Sequence, residues 1–138
     1  MTWSYGILES GDHIRVKRTG YYHHGVYIGD NEVIHYTALD EDGITHPEKV
    51  KVTRTTLEVF LRGGIVEKAI YSSSEQKNRF NPNEIIRRAN SKVGEGGYNF
   101  INNNCEDFAN FCCYKVKTTT QIDNLRTTIK KIFSKWLK

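Results

Sequence analysis

Residues 11–37 alternate polar and apolar side chains through three runs separated by two tight-turn signals, which commits the first half of the chain to an antiparallel meander. The first run, 11–18, ends at Thr19-Gly20. The second, 21–28, ends at Gly29-Asp30-Asn31, and the third covers 32–37. Residues 49–54 alternate again, 56–61 fit a helical turn or a strand, and Gly63-Gly64 breaks the chain before a strand over 65–71. Ser72-Ser73-Ser74 opens a polar loop. The pattern then turns helical. Asn81 is an N-cap, Pro82 takes the first helical position and Glu84 reaches back, with Ile85, Ile86, Ala89 and Val93 as the buried stripe and Gly94 as the stop. A second helix starts at Asn104 or Cys105 and buries Phe108, Phe111 and Cys112. Strands followed by helices predict an α+β fold, an antiparallel sheet packed against helices.

The hairpin decides which histidines can meet. With a three-residue loop at 29–31, Ile28 pairs with Glu32, Gly25 faces His35 and His23 faces Thr37. His23 and His35 are then diagonal neighbours on one face, roughly 7–8 Å apart at Cα. His24, Val26, Ile28 and Ile34 fall on the other face, which reads as core. A two-residue turn would instead put His23 and His35 on opposite faces. Tyr21 shares the face of His23, where its hydroxyl is an oxyanion-donor candidate or a half-buried strand tyrosine. His13 and His46 have no nameable partner.

Cys105 follows the turn-prone Asn102-Asn103-Asn104 at a helix start, where unpaired N–H groups lower a thiol pKa and can hold an oxyanion. Glu106 and Asp107 suit the first turn but partly offset that lowering. Cysteine nucleophile, histidine base and orienting histidine are the minimal set for covalent catalysis; Cys105 is the nucleophile candidate, and of His23 and His35 one can act as base and the other orient it. The competing reading is a buried structural cysteine, and packing is the role expected of Cys112 and Cys113. There is no CxxC or HxxxH spacing, so no metal and no other cofactor is expected.

A chain of 138 residues is one domain. Three cysteines, two of them adjacent, form no disulfide framework and point to a reducing compartment. The first residues lack the pattern of a secretory signal, and no apolar run approaches a membrane span. These features predict a cytoplasmic protein. From Lys115 onward seven basic residues face one acid, so the tail carries +6 of a chain whose net charge is +4, and the body before it is −2. Basic character therefore belongs to the tail, and nucleic-acid binding by the domain is not expected. Ile122, Leu125, Ile129, Ile132, Phe133, Trp136 and Leu137 form an apolar stripe there. Lys130, Lys131, Phe133, Lys135 and Trp136 are candidates for contact with an anionic membrane surface, which would make the protein peripheral to membranes. The alternative is a terminal helix packed on its own domain. The expected division is a body of residues 1–116 and a tail of residues 117–138.

The blocks Gly11-Asp12-His13-Ile14-Arg15-Val16, His23-His24-Gly25-Val26-Tyr27-Ile28-Gly29-Asp30 through His35, Glu84-Ile85-Ile86-Arg87-Arg88-Ala89, and Gly97-Tyr98-Asn99-Phe100 through Asn103-Asn104-Cys105-Glu106-Asp107-Phe108 resemble the lecithin retinol acyltransferase (LRAT) domain, over roughly residues 9–115. That resemblance implies a circularly permuted papain-like fold related to NlpC-type peptidases. It implies Cys105 as nucleophile, His23 as base and His35 as its partner. By the same resemblance, an acyl chain passes from a glycerophospholipid to the cysteine and then to an acyl acceptor or water. The family usually carries His where this chain has Asp107, from which altered substrate contacts or thiol pKa are expected. The function expected is thus a thiol-dependent phospholipid acyl hydrolase or acyltransferase working through a thioester. The alternatives are an NlpC-like cysteine peptidase or amidase, and a non-catalytic binding or regulatory module on the same scaffold.

Overall fold

A further strand, β1 (Thr2–Ser4), precedes the expected runs, which fold as strands β2 (His13–Arg18), β3 (Tyr21–Gly29), β4 (Glu32–Thr37), β5 (Lys51–Thr56) and β6 (Val66–Ile70). The helices are α1 (Leu57–Leu61), α2 (Ser73–Lys77), α3 (Pro82–Lys92) and α4 (Cys105–Cys113). The computed structural model describes residues 1–38, 42–43, 46–99 and 104–116. The tail 117–138, with its proposed membrane contacts, and the stretch 100–103 lie outside the described residues.

The strands form one six-stranded antiparallel sheet in the order β1-β6-β2-β3-β4-β5. This bears out the α+β expectation. Two features escape a reading of periodicity. The short N-terminal strand β1 takes the sheet edge by pairing Thr2 with Ile70, and the serine-rich stretch is helix α2, closed by a capping box between Ser72 and Glu75.

The β3–β4 turn also differs from the expected loop. Asp30 and Asn31 form a two-residue turn, both with positive φ, 50° and 63°, between Gly29 and Glu32. Such a turn alone would have put the histidines on opposite faces. A bulge between Tyr27 and Gly29 takes up one extra residue, so Tyr27 still pairs with Val33 and Val26 with Ile34. The expected parity survives because two deviations cancel.

Each sheet face has its own core. Val26, Ile34 and Tyr36 pack under α3 and α4 against Ile85, Ala89, Phe108, Ala109 and Cys112. On the opposite face Ile14, Val16 and Val33 surround Phe60 of α1. Within the expected stripes Ile85, Ala89, Phe108 and Cys112 are buried, whereas Val93 and Phe111 are exposed. Val93 has already left helical geometry as the C-cap of α3. Phe111 lies beneath the Arg88 guanidinium, 4.1 Å from its ring centre, and the Lys92 ammonium, 4.7 Å away.

Candidate active site

Asn104 sets the position of Cys105. Its side chain accepts from the Asp107 N–H at 3.0 Å, and the Asp107 carboxylate accepts from the Asn104 N–H at 3.1 Å. Asp107, where a histidine was expected from the resemblance, therefore closes the cap that presents Cys105 as the first residue of α4. The sulfur lies against β3. The His24 N–H donates to it at 3.4 Å and the Tyr22 carbonyl is 4.0 Å away, so it touches backbone on both sides of His23.

His23 and His35 are together, as parity requires. His23 Nε2 and His35 Nδ1 are 2.9 Å apart, both rings are buried, and both lean on Phe60 with centroid separations of 5.2 and 5.1 Å. Gly25 makes that packing possible. A Cβ there would stand 2.8 Å from Phe60, 2.9 Å from Val33 and 3.2 Å from the His35 Cβ.

The proton positions follow from the end of the chain of bonds. The Thr55 hydroxyl donates to the Thr56 carbonyl at 3.0 Å, so its oxygen accepts from His35 Nε2–H at 2.8 Å. The neutral His35 ring then accepts at Nδ1 from His23 Nε2–H. This leaves a lone pair on His23 Nδ1, a buried atom with no hydrogen-bond partner among the described residues. Burial holds His23 neutral by pushing its pKa well below the ordinary range, with His35 and Arg18 adding to that effect against the pull of Asp42. His35 is pushed down to about 3, chiefly by burial.

Asp42 is a site residue that its sequence context, a polar acidic loop, gives no reason to single out. It is buried, and its Oδ2 lies 3.7 Å from His23 Nδ1. Arg18 Nε donates to the same oxygen at 2.8 Å, the Tyr21 hydroxyl donates to it at 2.6 Å, and Arg62 pairs with Oδ1 at 3.2 Å. Burial opposes its charge, but the hydrogen bonds from Arg18 and Tyr21 and the Arg18 charge outweigh burial and hold its carboxyl below its usual range. The Tyr21 hydroxyl proton thus points to a carboxylate rather than toward an oxyanion.

The thiol is not in the lowered state that a helix start suggests. Burial pushes Cys105 up to about 12; the His24 N–H pulls the other way, and the charges of Asp42 and Glu106 add to the rise. At neutral pH both Cys105 and His23 are uncharged. Cys112 and Cys113 are fully buried, in the packing role expected of them.

A cleft of about 330 Å³ opens beside Cys105, lined among others by Trp3, Arg15, Tyr22, His24, Tyr98 and Glu106. His24 keeps its core-side face, as parity assigns, but it is a cleft residue. Its Nδ1 lies 2.8 Å from Nε2 of His13, which therefore does have a partner. A sequence signal for this pair exists. The two-residue turn Thr19-Gly20 pairs Arg18 with Tyr21 and, further along, His13 with Val26, which makes His13 a diagonal neighbour of His24.

The family model for lecithin retinol acyltransferase matches residues 7–118. This chain belongs to the lecithin retinol acyltransferase family. It is 32% identical to human lecithin retinol acyltransferase over 144 aligned positions, which cover 91% of this chain and 63% of that protein. Human phospholipase A and acyltransferase 2 is 29% identical, over 86% of this chain and 78% of the relative. The Arabidopsis thaliana protein LEAD-SENSITIVE 1 is 33% identical, over 76% of this chain and 57% of the relative. The chain thus spans about three fifths of the length of the lecithin retinol acyltransferases it matches. Among the described residues no helix is long and apolar enough to cross a membrane.

Proposed function

We propose that this family member transfers an acyl chain from a glycerophospholipid onto Cys105 as a thioester, then on to an acceptor or to water. The observation that carries the reading is the bare, buried Nδ1 of neutral His23, held by His35 and Thr55 beside the backbone that touches the Cys105 sulfur. The family's relatives named for acyl transfer and phospholipase activity support the substrate class.

In the first step His23 Nδ1 takes the thiol proton as sulfur bonds the ester carbonyl carbon. Transfer accompanies attack, since neither group is charged beforehand. The imidazolium that forms faces the Asp42 carboxylate, and His35 holds its other nitrogen. The proton then leaves with the glycerol oxygen as the C–O bond breaks. The Cys105 N–H, at the first turn of α4, is the proposed oxyanion donor. Tyr21 is better placed to orient Asp42. The tail 117–138 is proposed to hold the domain on anionic membrane through Lys130, Lys131, Phe133, Lys135 and Trp136.

Phospholipid turnover by His23→Gln and His35→Gln tests the assignment. Expected is a loss of about 100-fold or more for His23→Gln and a smaller one for His35→Gln, each without loss of fold. Full activity in His23→Gln would refute the role of base.

A further inference from the structure

His23 and His35 do not line the cleft beside Cys105, whereas His24 and His13 do. A molecule entering that cleft therefore meets a different histidine pair from the one assigned to the thiol. From this arrangement we propose that His24 is a second catalytic base, serving the acyl acceptor, with His13 and Tyr114 as its positioning residues. The inference rests on the thioester reading above.

The pair repeats the logic of the first one on the other face of β3. His24 Nδ1 is 2.8 Å from His13 Nε2, and His13 Nδ1 is 2.9 Å from the Tyr114 hydroxyl. The Tyr114 hydroxyl also has the Tyr71 hydroxyl at 2.9 Å and the Met1 sulfur at 3.1 Å; with its proton directed to one of these, its oxygen accepts from His13 Nδ1–H. His13 Nε2 then accepts from His24 Nδ1–H, which leaves a lone pair on His24 Nε2. Glu106 Oε2 stands 3.7 Å from that nitrogen, the separation that Asp42 keeps from His23 Nδ1. Each outer histidine nitrogen thus has a carboxylate ready for the positive charge it would acquire. Burial keeps the resting His24 ring neutral, and Arg15, which lies between the Trp3 and Tyr22 rings and pairs with Glu67, adds to that effect. Trp3 meets the rings of His13 and His24 edge-on and completes the wall.

In the transfer step His24 Nε2 takes the acceptor hydroxyl proton as its oxygen bonds the thioester carbonyl carbon. The C–S bond breaks, sulfur leaves as thiolate, and the proton passes from His24 back to sulfur. The ring begins and ends neutral, and Cys105 is restored. The acceptor class is an alcohol or water, molecules that need a base to become nucleophiles.

Rapid-quench intact-mass analysis with a p-nitrophenyl acyl ester separates the two halves of the reaction. Expected for His24→Gln is acyl-enzyme decay slowed about 100-fold against a much smaller slowing of Cys105 acylation, so that the adduct accumulates. Hydroxylamine, a nucleophile that needs no base, should discharge the adduct equally fast in both proteins. Tyr114→Phe leaves His24 in place and guards against a folding defect; there decay alone should slow, by a smaller factor. Unchanged decay in His24→Gln, or acylation and decay falling together in both variants, would overturn the assignment of His24 alone. Absence of any adduct in the natural chain would overturn the thioester reading, and this inference with it.

Discussion

His23 and His24 are consecutive residues of β3 whose rings leave the strand on opposite faces, one toward His35 and Phe60, the other toward His13 and Trp3. The Cys105 sulfur touches the backbone at this point. One peptide unit therefore separates two histidine pairs, each with a carboxylate 3.7 Å from its outer nitrogen.

Thr55 is the anchor of the first pair. Replacing it with Val keeps the shape and removes the acceptor for His35 Nε2–H. Losing a neutral hydrogen bond of about 1 kcal/mol shifts the tautomer equilibrium about fivefold toward the form that protonates His23 Nδ1, so kcat should fall by a factor of up to about five. An unchanged kcat for Thr55→Val would show that Thr55 does not set the tautomer.

Stability should fall with acid in a definite window. His13 and His23 are held neutral with pKa values well below 6.5, and His24 and His35 are lowered to about 3. Unfolded histidines bind protons below about pH 6.5. The unfolded state therefore holds more protons between that pH and about 3, so stability drops as pH falls through this window, by about 1.4 kcal/mol per pH unit for each histidine involved. Melting temperature measured from pH 7.5 down to 4.5 checks this, and a flat profile would contradict the buried neutral state.

How much of this was legible beforehand depends on range. The α3 start was readable from Asn81, Pro82 and Glu84 because a cap is a local device. The His23–His35 pairing was readable because strand parity is, although the turn beside it is a two-residue one corrected by a bulge. Asp42 was not readable. Its partners Arg18, Tyr21 and Arg62 come from other parts of the chain, and nothing in an acidic loop says that one carboxylate will turn inward. The Cys105 pKa went the other way from expectation because helix position is local, whereas burial depends on the whole sheet and α4 packing.

Asp42→Asn should move two properties in opposite directions. Removing its charge lowers the thiol pKa, because that charge helps raise it, so iodoacetamide should label Cys105 faster at pH 8. Turnover should fall, since the His23 imidazolium loses its counter-ion. Because Arg18 also loses its ionic partner, stability should drop by about 3 kcal/mol or more. Slower labelling together with slower turnover would contradict the electrostatic role.

The tail is tested by removing residues 120–138. If it docks on membrane, activity on anionic vesicles should fall much more than activity on short-chain soluble esters, and vesicle binding by the full chain should weaken with salt, each near-surface lysine contributing about 1 kcal/mol. Equal loss on both substrates with a lower melting temperature would assign the stripe to the domain's own core.

The central claim is a covalent one, and intact-mass spectrometry after incubation with mixed phosphatidylcholine and phosphatidylserine vesicles tests it most directly. Expected is one acyl chain on Cys105, released by hydroxylamine, missing from Cys105→Ala and retained in Cys112→Ala and Cys113→Ala. Undiminished phospholipid turnover in folded Cys105→Ala, with no adduct on the natural chain, would contradict it.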